Sequence, residues 1–288
     1  MTFSHDAEMP FAKMTGSGND FVVIDNREPL LPNDAIPDFV RAVCRRGVAI
    51  GADGVVLIEA CDRDDVDFHW RYINADGSDG EMCGNGAMCG ARFAVLNGIA
   101  LSPTRFLTPD GIVTAEIDDP STPQVRIAIS DPGDIRCVSI DVDGRALEVF
   151  ALRMGVPHAI TITDDADAFA DAATFHRIGR AIRMHDAFSP AGTNFNVIHR
   201  IDARTIRMRT YERGVEAETL ACGTGAVASA VVAVRQGIVE PPVTVITSSG
   251  RPLDVRWTER DGRVADVWLG GEARVVATGT LHPEGWTA

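Results

Sequence analysis

Short apolar and alternating segments run through most of the chain and predict β-strands. The clearest of them are residues 21–25, 55–59, 112–117, 125–130, 206–211, 243–247 and 264–269, with turn dipeptides such as Asp143-Gly144 and Asp261-Gly262 between strands. Two alanine-rich stretches of about ten residues, which end at Gly98 and Gly237, predict helices because each lacks proline and is followed by a C-terminal glycine. Both are apolar around the whole circumference, so each helix must be buried on all sides.

The two predicted helices belong to an internal repeat. Residues 83–98 read CGNGAMCGARFAVLNG and residues 222–237 read CGTGAVASAVVAVRQG, with eight identities in sixteen positions and no gap. Asn19 and His158 each precede their copy by 64 residues, so the two halves also share register. Many strands around one buried helix, repeated once, predict an α+β fold of two pseudo-symmetric domains, each a β-barrel-like sheet wrapped around a central buried helix.

The pattern breaks at residues 130–134, between the two copies of the repeat. We therefore expect residues 1–131 to form the domain that carries Cys83, and residues 132–276 to form the domain that carries Cys222. Because small-molecule clefts tend to form where two domains meet, we expect the two cysteine motifs to face each other.

Composition limits the partners and the compartment. Lys and Arg number 27 against 41 Asp and Glu, a net charge of −14 that repels phosphate backbones and anionic membranes, so we expect neither as a partner. Met1 to Pro10 has no secretory leader pattern, and no apolar run is long enough to span a membrane, so we expect a cytoplasmic protein. The six cysteines are expected to be thiols and show no zinc-site spacing, so we expect no metal. We also expect no cofactor: Lys13 is the single lysine, and pyridoxal phosphate requires a lysine anchor.

Cys83 and Cys222 each stand immediately before a predicted helix. The unpaired N–H groups and the positive dipole end of a helix start favour the thiolate, and the following glycines leave room for a carboxylate. One thiolate could remove an α-proton from one face of a substrate while the opposite thiol protonates the other face, as in a two-base racemase. A small buried cysteine is the commoner interpretation of one such motif, but two copies at matching positions favour function.

Other polar residues are weaker candidates individually. His158 follows a proline and could hydrogen-bond a catalytic thiol, and the charged pair Glu212 and Arg213 precedes Cys222 and could contact a zwitterionic ligand. Four asparagines fall in predicted loops, where this residue commonly serves only turns: Asn19, Asn74, Asn85 and Asn194.

Several motifs are spread over almost the whole chain. They are residues 13–21 (KMTGSGNDF), 51–54 (GADG), 74–78 (NADGS), 82–87 (MCGNGA), Pro157-His158, Asn194, 211–214 (YERG) and 218–225 (ETLACGTG). Together they resemble the diaminopimelate epimerase family, cofactor-independent enzymes of bacterial lysine and peptidoglycan biosynthesis. The resemblance implies an isomerase that interconverts LL- and meso-diaminopimelate, a homodimer, and two pseudo-symmetric domains that close on the substrate, with residues 277–288 packing back onto the first domain.

The same resemblance implies roles for individual residues. It makes Cys83 and Cys222 the two acid/base thiols, supported at the reaction centre by His158 and Glu212. The substrate-binding residues that it implies are Asn19, Asn74, Gly84, Asn85, Asn194, Glu212, Arg213, Gly223 and Thr224.

Three features depart from the family pattern. Val156 stands where an Asn usually precedes Pro-His, Met88 stands where Arg is usual, and the loop at residues 214–218 is one residue longer. The Val156 difference bears on substrate choice, so a racemase of another amino acid on the same scaffold stays open. A non-catalytic amino-acid-binding protein or thiol-redox protein is the alternative from a different class.

Overall fold

The computed structural model describes residues 9–165 and 171–286. Residues 1–8, which include most of the segment inspected for a leader, lie outside the described residues, as do 166–170 and 287–288. The chain divides into two compact units: unit 1 is Met1–Ile127 with Gly271–Ala288, and unit 2 is Ala128–Gly270. No helix in the described ranges is both long and apolar enough to cross a membrane.

The helices and strands alternate in a similar order in the two halves of the chain. The first half contains β1 Met9–Gly16, β2 Asn19–Asp25, α1 Ile36–Val43, β3 Gly54–Glu59, β4 Phe68–Asn74, α2 Gly84–Leu96, β5 Thr104–Thr108, β6 Gly111–Glu116 and β7 Gln124–Ala128. The second half contains β8 Arg136–Val142, β9 Arg145–Met154, β10 Val156–Thr163, α3 Ala172–Arg183, β11 Asn194–Arg200, β12 Thr205–Glu212, β13 Ala217–Thr219, α4 Gly223–Arg235, β14 Val243–Ile246 and β15 Pro252–Arg260. The long strand β16, Arg263–Leu281, begins in unit 2 and ends in unit 1.

Unit 1 contains a closed ring of strands. The strands β1 to β7 follow one another in space as they do in sequence, and β16 lies between β7 and β1. The final part of β16 pairs antiparallel with β1, from Ala273 opposite Gly16 to Leu281 opposite Met9. Two neighbouring pairs in the ring are parallel, β2 with β3 and β4 with β5, and their connections contain α1 and α2.

Unit 2 repeats the same connections. Its strand order is β8-β9-β10-β11-β12-β14-β15-β16, with β13 paired to β12 outside that path. Here the parallel pairs are β10 with β11 and β12 with β14, and their connections contain α3 and α4. The predicted α+β fold of two similar barrel-like units is confirmed.

One helix is central in each unit, as the sequence predicted. Every residue of α2 from Asn85 to Ala94 is buried, as is every residue of α4 from Gly225 to Ala233. In unit 1, α2 contacts β1 to β4, and in unit 2, α4 contacts β9 to β12 together with β14 and β15. Gly98 and Gly237, with φ of 68° and 69°, follow the helix ends in the left-handed conformation that glycine adopts without strain.

A second, amphipathic helix in each unit was not among the sequence predictions. In unit 1, α1 packs Phe39 and Val40 into a cluster with residues of β2 and β3. In unit 2, α3 packs Phe175 and Ile182 against β11 and β12. These helices bury one face only, so each covers the sheet and leaves the central position to α2 or α4.

Candidate active site

Cys83 and Cys222 occupy equivalent positions at the start of the two central helices. Both are N-cap residues with extended backbone, at φ −111° and ψ 113° for Cys83 and at φ −137° and ψ 110° for Cys222. The carbonyl oxygen of each accepts the first helical hydrogen bond, from Ala87 N at 2.8 Å and from Ala226 N at 2.9 Å. The three preceding N–H groups of each helix, including those of Gly84, Asn85, Gly223 and Thr224, have no acceptor within a regular helix, so each start can accept an anion.

In unit 1, two asparagines join the helix start to the first hairpin. The Nδ2 of Asn85 donates to Oδ1 of Asn19 at 2.8 Å, and the Nδ2 of Asn19 donates to Oδ2 of Asp53 at 3.1 Å. The same Asp53 oxygen accepts from the backbone N–H of Asp20 at 3.2 Å, and its other oxygen lies 2.9 Å from a guanidinium nitrogen of Arg46. Asp53 therefore fixes the orientation of Asn19, and Asn19 in turn orients Asn85.

Asn74 is held separately from that pair. It ends β4, and its backbone N–H donates to the carbonyl of Ser78 at 2.9 Å. Its Nδ2 donates to Oγ of Ser78 at 3.1 Å, so the Asp76-Gly77-Ser78 turn folds back on this side chain. Asn74 lies in the same unit as Cys83, and its hydrogen bonds are to the turn.

In unit 2, His158 lies beside the start of α4. Its Nε2 is 3.1 Å from Oγ1 of Thr224, and Oγ1 of Thr224 is in turn 3.6 Å from Sγ of Cys222. The other ring nitrogen, Nδ1, accepts from Nδ2 of Asn196 at 3.1 Å, and Thr210 Oγ1 donates to Oδ1 of Asn196 at 2.9 Å. The structure thus connects His158 to the thiol through a hydroxyl group.

His158 is an uncharged histidine at neutral pH. Burial, together with the positive charge of Arg213, lowers its pKa from 6.5 to about 3. Only 1% of its surface is exposed, and Asn196 beside it is fully buried. A neutral imidazole carries one ring proton, so which nitrogen holds that proton depends on the partners just described.

The charged pair before Cys222 lies at the end of β12. Burial raises the pKa of the Glu212 carboxyl, with the Thr219 hydroxyl opposing that shift. The backbone N–H of Arg213 donates to Oδ1 of Asn194 at 2.8 Å, and its guanidinium donates to the carbonyl of Ala191 at 3.3 Å. Asn194 lies opposite His158 in the parallel pairing of β10 and β11, which places Arg213, Asn194 and His158 in one neighbourhood.

Neighbouring groups approach the glycines of the two helix starts to different degrees. A Cβ at Gly223 would lie 2.9 Å from Cδ2 of Leu269, and one at Gly225 would lie 2.6 Å from Oδ1 of Asn196. At Gly86, the position equivalent to Gly225, the nearest atom would be Cζ2 of Trp70 at 3.3 Å. Packing therefore requires glycine at the helix start of unit 2, whereas Gly86 in unit 1 has room for a methyl group with a small shift of the Trp70 ring.

The three departures from the family pattern have defined places. Val156 is half-buried at the first position of β10, opposite Met154 in β9. Met88 is fully buried in α2. The longer loop turns at Glu216, whose φ is 57°, and its carbonyl accepts a hydrogen bond from the Tyr211 hydroxyl at 2.8 Å.

Sequence inspection assigned no role to two residues that support the candidate side chains. Asp53 was noted only as part of the motif at residues 51–54, and Asn196 was not singled out. Among the described residues, no group of three or more His, Cys, Asp or Glu side chains is arranged to hold a metal ion.

A repeated unit with one cysteine at each central helix start defines a class of protein. The class is that of the racemase and epimerase isomerases, to which the relatives and solved structures described next belong. Solved structures share this fold: a probable proline racemase from Agrobacterium radiobacter K84 aligns over 95% of this chain and 92% of its own, with a TM-score of 0.69 and 15% identity. A hydroxyproline epimerase from Agrobacterium vitis aligns over 98% of this chain and 96% of its own, with a TM-score of 0.68 and 14% identity.

Sequence comparison identifies the family. The family model for diaminopimelate epimerase matches residues 11–135 and 150–276. The diaminopimelate epimerase of Aquifex aeolicus (strain VF5) is 40% identical over 283 residues, which cover 96% of this chain and 99% of the relative. That of Archaeoglobus fulgidus is 38% identical over 276 residues, or 92% of this chain and 94% of the relative. The chain belongs to the diaminopimelate epimerase family, which confirms the resemblance inferred from its motifs.

Proposed function

We propose that this isomerase interconverts LL- and meso-2,6-diaminopimelate by a two-base mechanism in which Cys83 and Cys222 act on the same α-carbon. The observation that carries the proposal is the equivalent placement of the two cysteines as N-cap residues of buried helices, in a chain of this family. One cysteine acts as a thiolate and the other as a thiol, and their roles exchange between the two reaction directions.

The substrate carboxylate next to the reacting carbon is proposed to bind at the helix starts. The N–H groups of Gly84, Asn85, Gly223 and Thr224 are suitable donors because they lie in the first turn of α2 or α4. When the α-proton leaves, negative charge spreads onto the carboxylate oxygens. Donors that are already in place stabilise that charge more in the transition state than in the ground state.

The proton inventory is balanced without a further acid or base. The thiolate takes the α-proton and becomes a thiol, while the opposite thiol gives a proton to the other face of the carbon and becomes a thiolate. The configuration at that carbon is inverted, and the enzyme is left with the opposite protonation state. The next turnover in the same direction requires exchange of both protons with solvent.

Buried polar residues are proposed to support the two thiols and bind the rest of the substrate. Neutral His158 reaches Cys222 through Thr224, and Glu212 is a carboxyl group whose pKa is raised by burial. We assign the substrate's amino groups and distal carboxylate to a set of polar side chains, namely Asn19, Asn74, Asn194, Glu212 and Arg213. The side chain of Val156 has no polar atom. Any hydrogen bond to the distal end of the substrate near this position therefore comes from other residues.

The remaining proposals concern the environment of the protein. We infer that the protein is a cytoplasmic homodimer. We also infer that it binds neither nucleic acid nor anionic membranes, because its net charge of −14 repels both. Sedimentation equilibrium measures the subunit number, and a monomer over the working concentration range would contradict the dimer.

The function is tested with the purified, reduced protein in D2O. With LL-diaminopimelate, we expect loss of the α-proton NMR signal together with appearance of the meso isomer. A panel of histidine, glutamate and proline derivatives tests the substrate, because exchange confined to one of these would keep the two-thiol chemistry and make Val156 the residue that changed specificity. No exchange with any amino acid would contradict the proposal and favour a binding or thiol-redox protein.

A further inference from the structure

A continuous line of hydrogen bonds leads from the interior of unit 2 to Cys222. It begins at Oγ1 of Thr210, which donates to Oδ1 of Asn196, and continues from Nδ2 of Asn196 to Nδ1 of His158. From Nε2 of His158 it passes to Oγ1 of Thr224 and ends at Sγ of Cys222. Thr210, Asn196 and His158 are each at most 1% exposed, so bulk water does not compete for these bonds.

The orientation of the Asn196 carboxamide determines where the ring proton of His158 lies. A carboxamide nitrogen only donates, so Nδ1 of His158 must offer its lone pair and the single proton of the neutral ring must be on Nε2. Nε2 then donates to Oγ1 of Thr224. Because the Thr224 oxygen accepts from the imidazole, the hydroxyl proton is available for another acceptor. Sγ of Cys222 lies 3.6 Å from Oγ1 of Thr224 and can accept that proton in a hydrogen bond.

The opposite tautomer would have the opposite effect on the cysteine. If Nε2 carried no proton, it would accept from the Thr224 hydroxyl, and that oxygen could then only accept from the S–H group of Cys222. A hydroxyl that donates to sulfur stabilises the thiolate, whereas one that accepts from S–H stabilises the thiol.

We propose that Asn196 is a positioning residue that fixes the Nε2–H tautomer of His158 and, through the Thr224 hydroxyl, favours the thiolate form of Cys222. The inference deepens the proposed function and rests on it for the catalytic use of Cys222. Asn196 acts through His158 and Thr224 and does not itself touch the sulfur in this line of bonds.

The equivalent positions of unit 1 support this assignment. Asn19 and Asn85 stand where unit 2 has His158 and Thr224, and they too are hydrogen-bonded to each other, at 2.8 Å. The residue in the strand position of Asn196 is Gly54, because Phe21 pairs with Gly54 as Ile160 pairs with Asn196. An asparagine side chain has no tautomer to select, and unit 1 holds Asn19 with the carboxylate of Asp53 instead. The buried carboxamide of Asn196 is thus present in the unit that has His158, and a glycine takes its place in the unit that has Asn19 instead.

The tautomer is measured directly by long-range ¹H–¹⁵N NMR on the full chain labelled at histidine nitrogen. The His158→Gln variant identifies the His158 signals by their loss. We expect a protonated Nε2 and an unprotonated Nδ1 in the unmodified protein at neutral pH. A protonated Nδ1 with an unprotonated Nε2 would overturn the proposal without any variant being made.

Asn196→Asp tests the cause of the tautomer. A carboxylate only accepts hydrogen bonds, so we expect Nδ1 of His158 to become protonated while the signals of His176 and His199 stay unchanged. The Cys222 thiolate is followed as the ultraviolet absorbance difference from a Cys222→Ser version of the same protein, and we expect about a tenfold fall, the equivalent of one lost hydrogen bond to the sulfur. An unchanged tautomer, at a pH at which infrared spectroscopy shows the new carboxyl to be ionised, would overturn the proposal.

Thr224→Val separates this route from a general loss of structure. It removes the hydroxyl and keeps the backbone N–H, so we expect a similar fall in thiolate while His158 keeps its Nε2–H tautomer. Adding Asn196→Asp to Thr224→Val should lower the thiolate no further, because both changes interrupt the same line of bonds. An additive effect would contradict the route. Because none of these signals depends on turnover, a protein that shows them without epimerising diaminopimelate would refute the proposed function and leave this inference intact.

Discussion

Gly225→Ala is the sharpest steric test of the unit 2 centre, and the repeat supplies its matched control. The new Cβ would lie 2.6 Å from Oδ1 of Asn196 and 3.2 Å from Sγ of Cys222. The equivalent change in unit 1, Gly86→Ala, places its Cβ 3.3 Å from the nearest atom, on the ring of Trp70. Both glycines are the third residue of a buried central helix, so the two variants differ mainly in what the added methyl group meets.

The size of the effect follows from these distances. The Gly225 contact is roughly 1 Å shorter than an ordinary contact of about 3.5 Å, so the carboxamide of Asn196 must move. Asn196 is fully buried and bonded to Thr210 and His158, and loss of such a bond costs about 1–3 kcal/mol. Alanine recovers about 0.5–1 kcal/mol of helix propensity at either site. We therefore expect Gly225→Ala to be about 1–2 kcal/mol less stable than Gly86→Ala.

Urea unfolding of the two variants under the same conditions measures this difference, and the His158 ring signals report the displacement locally. We expect an earlier unfolding midpoint and shifted His158 signals in Gly225→Ala alone. Equal midpoints with unchanged His158 signals in both variants would refute the packing argument, because the methyl group would then have been accommodated without moving Asn196.

Two further predictions concern the support of Asn19 and the charge state of His158. Asp53→Ala removes the acceptor of the Asn19 amide and should raise KM about fivefold, the equivalent of about 1 kcal/mol of lost substrate binding. The control Asp25→Ala removes a similarly exposed ion-paired carboxylate and should leave KM unchanged. Equal KM values for the two variants would count against the role of Asp53. Because the folded protein holds the pKa of His158 at about 3, below the ordinary value of 6.5, the unfolded chain binds more protons between those pH values. Stability should therefore fall as pH drops through that window, by at most about 1.4 kcal/mol per pH unit, and His158→Gln should show a shallower dependence in urea unfolding at several pH values. Identical slopes would show that the histidine is not the cause.

Local sequence signals predicted the central parts of the fold. The α2 and α4 helices were predictable because their apolar circumference and terminal glycines lie within sixteen consecutive residues. The helices α1 and α3 each bury one face and carry an amphipathic pattern, but that pattern lies outside the sixteen-residue repeat and was not used for prediction. The repeat predicted that each unit would have the same architecture because its two copies share spacing as well as residue type.

The two cysteines, His158 and Asn19 could be proposed as candidates from the sequence, but the residues that hold His158 and Asn19 in place could not. Asn196 supports His158 because β11 lies parallel to β10, with Asn196 opposite Ile160. Likewise, Asp53 reaches Asn19 because β3 lies beside β2. Neither strand pairing can be predicted from the local sequence pattern. The contact between the Thr224 hydroxyl and His158 likewise depends on how distant parts of the chain pack together. Such long-range contacts require the three-dimensional structure.

The central claim, that both cysteines transfer protons at one α-carbon, is tested most directly with single variants in D2O. We predict that Cys83→Ala and Cys222→Ala each abolish conversion of LL- to meso-diaminopimelate, while Cys61→Ala and Cys137→Ala, one in each unit, retain it. Proton NMR follows the α-proton signal and the isomer ratio in the same sample. Full epimerase activity in either Cys83→Ala or Cys222→Ala would contradict the two-base account.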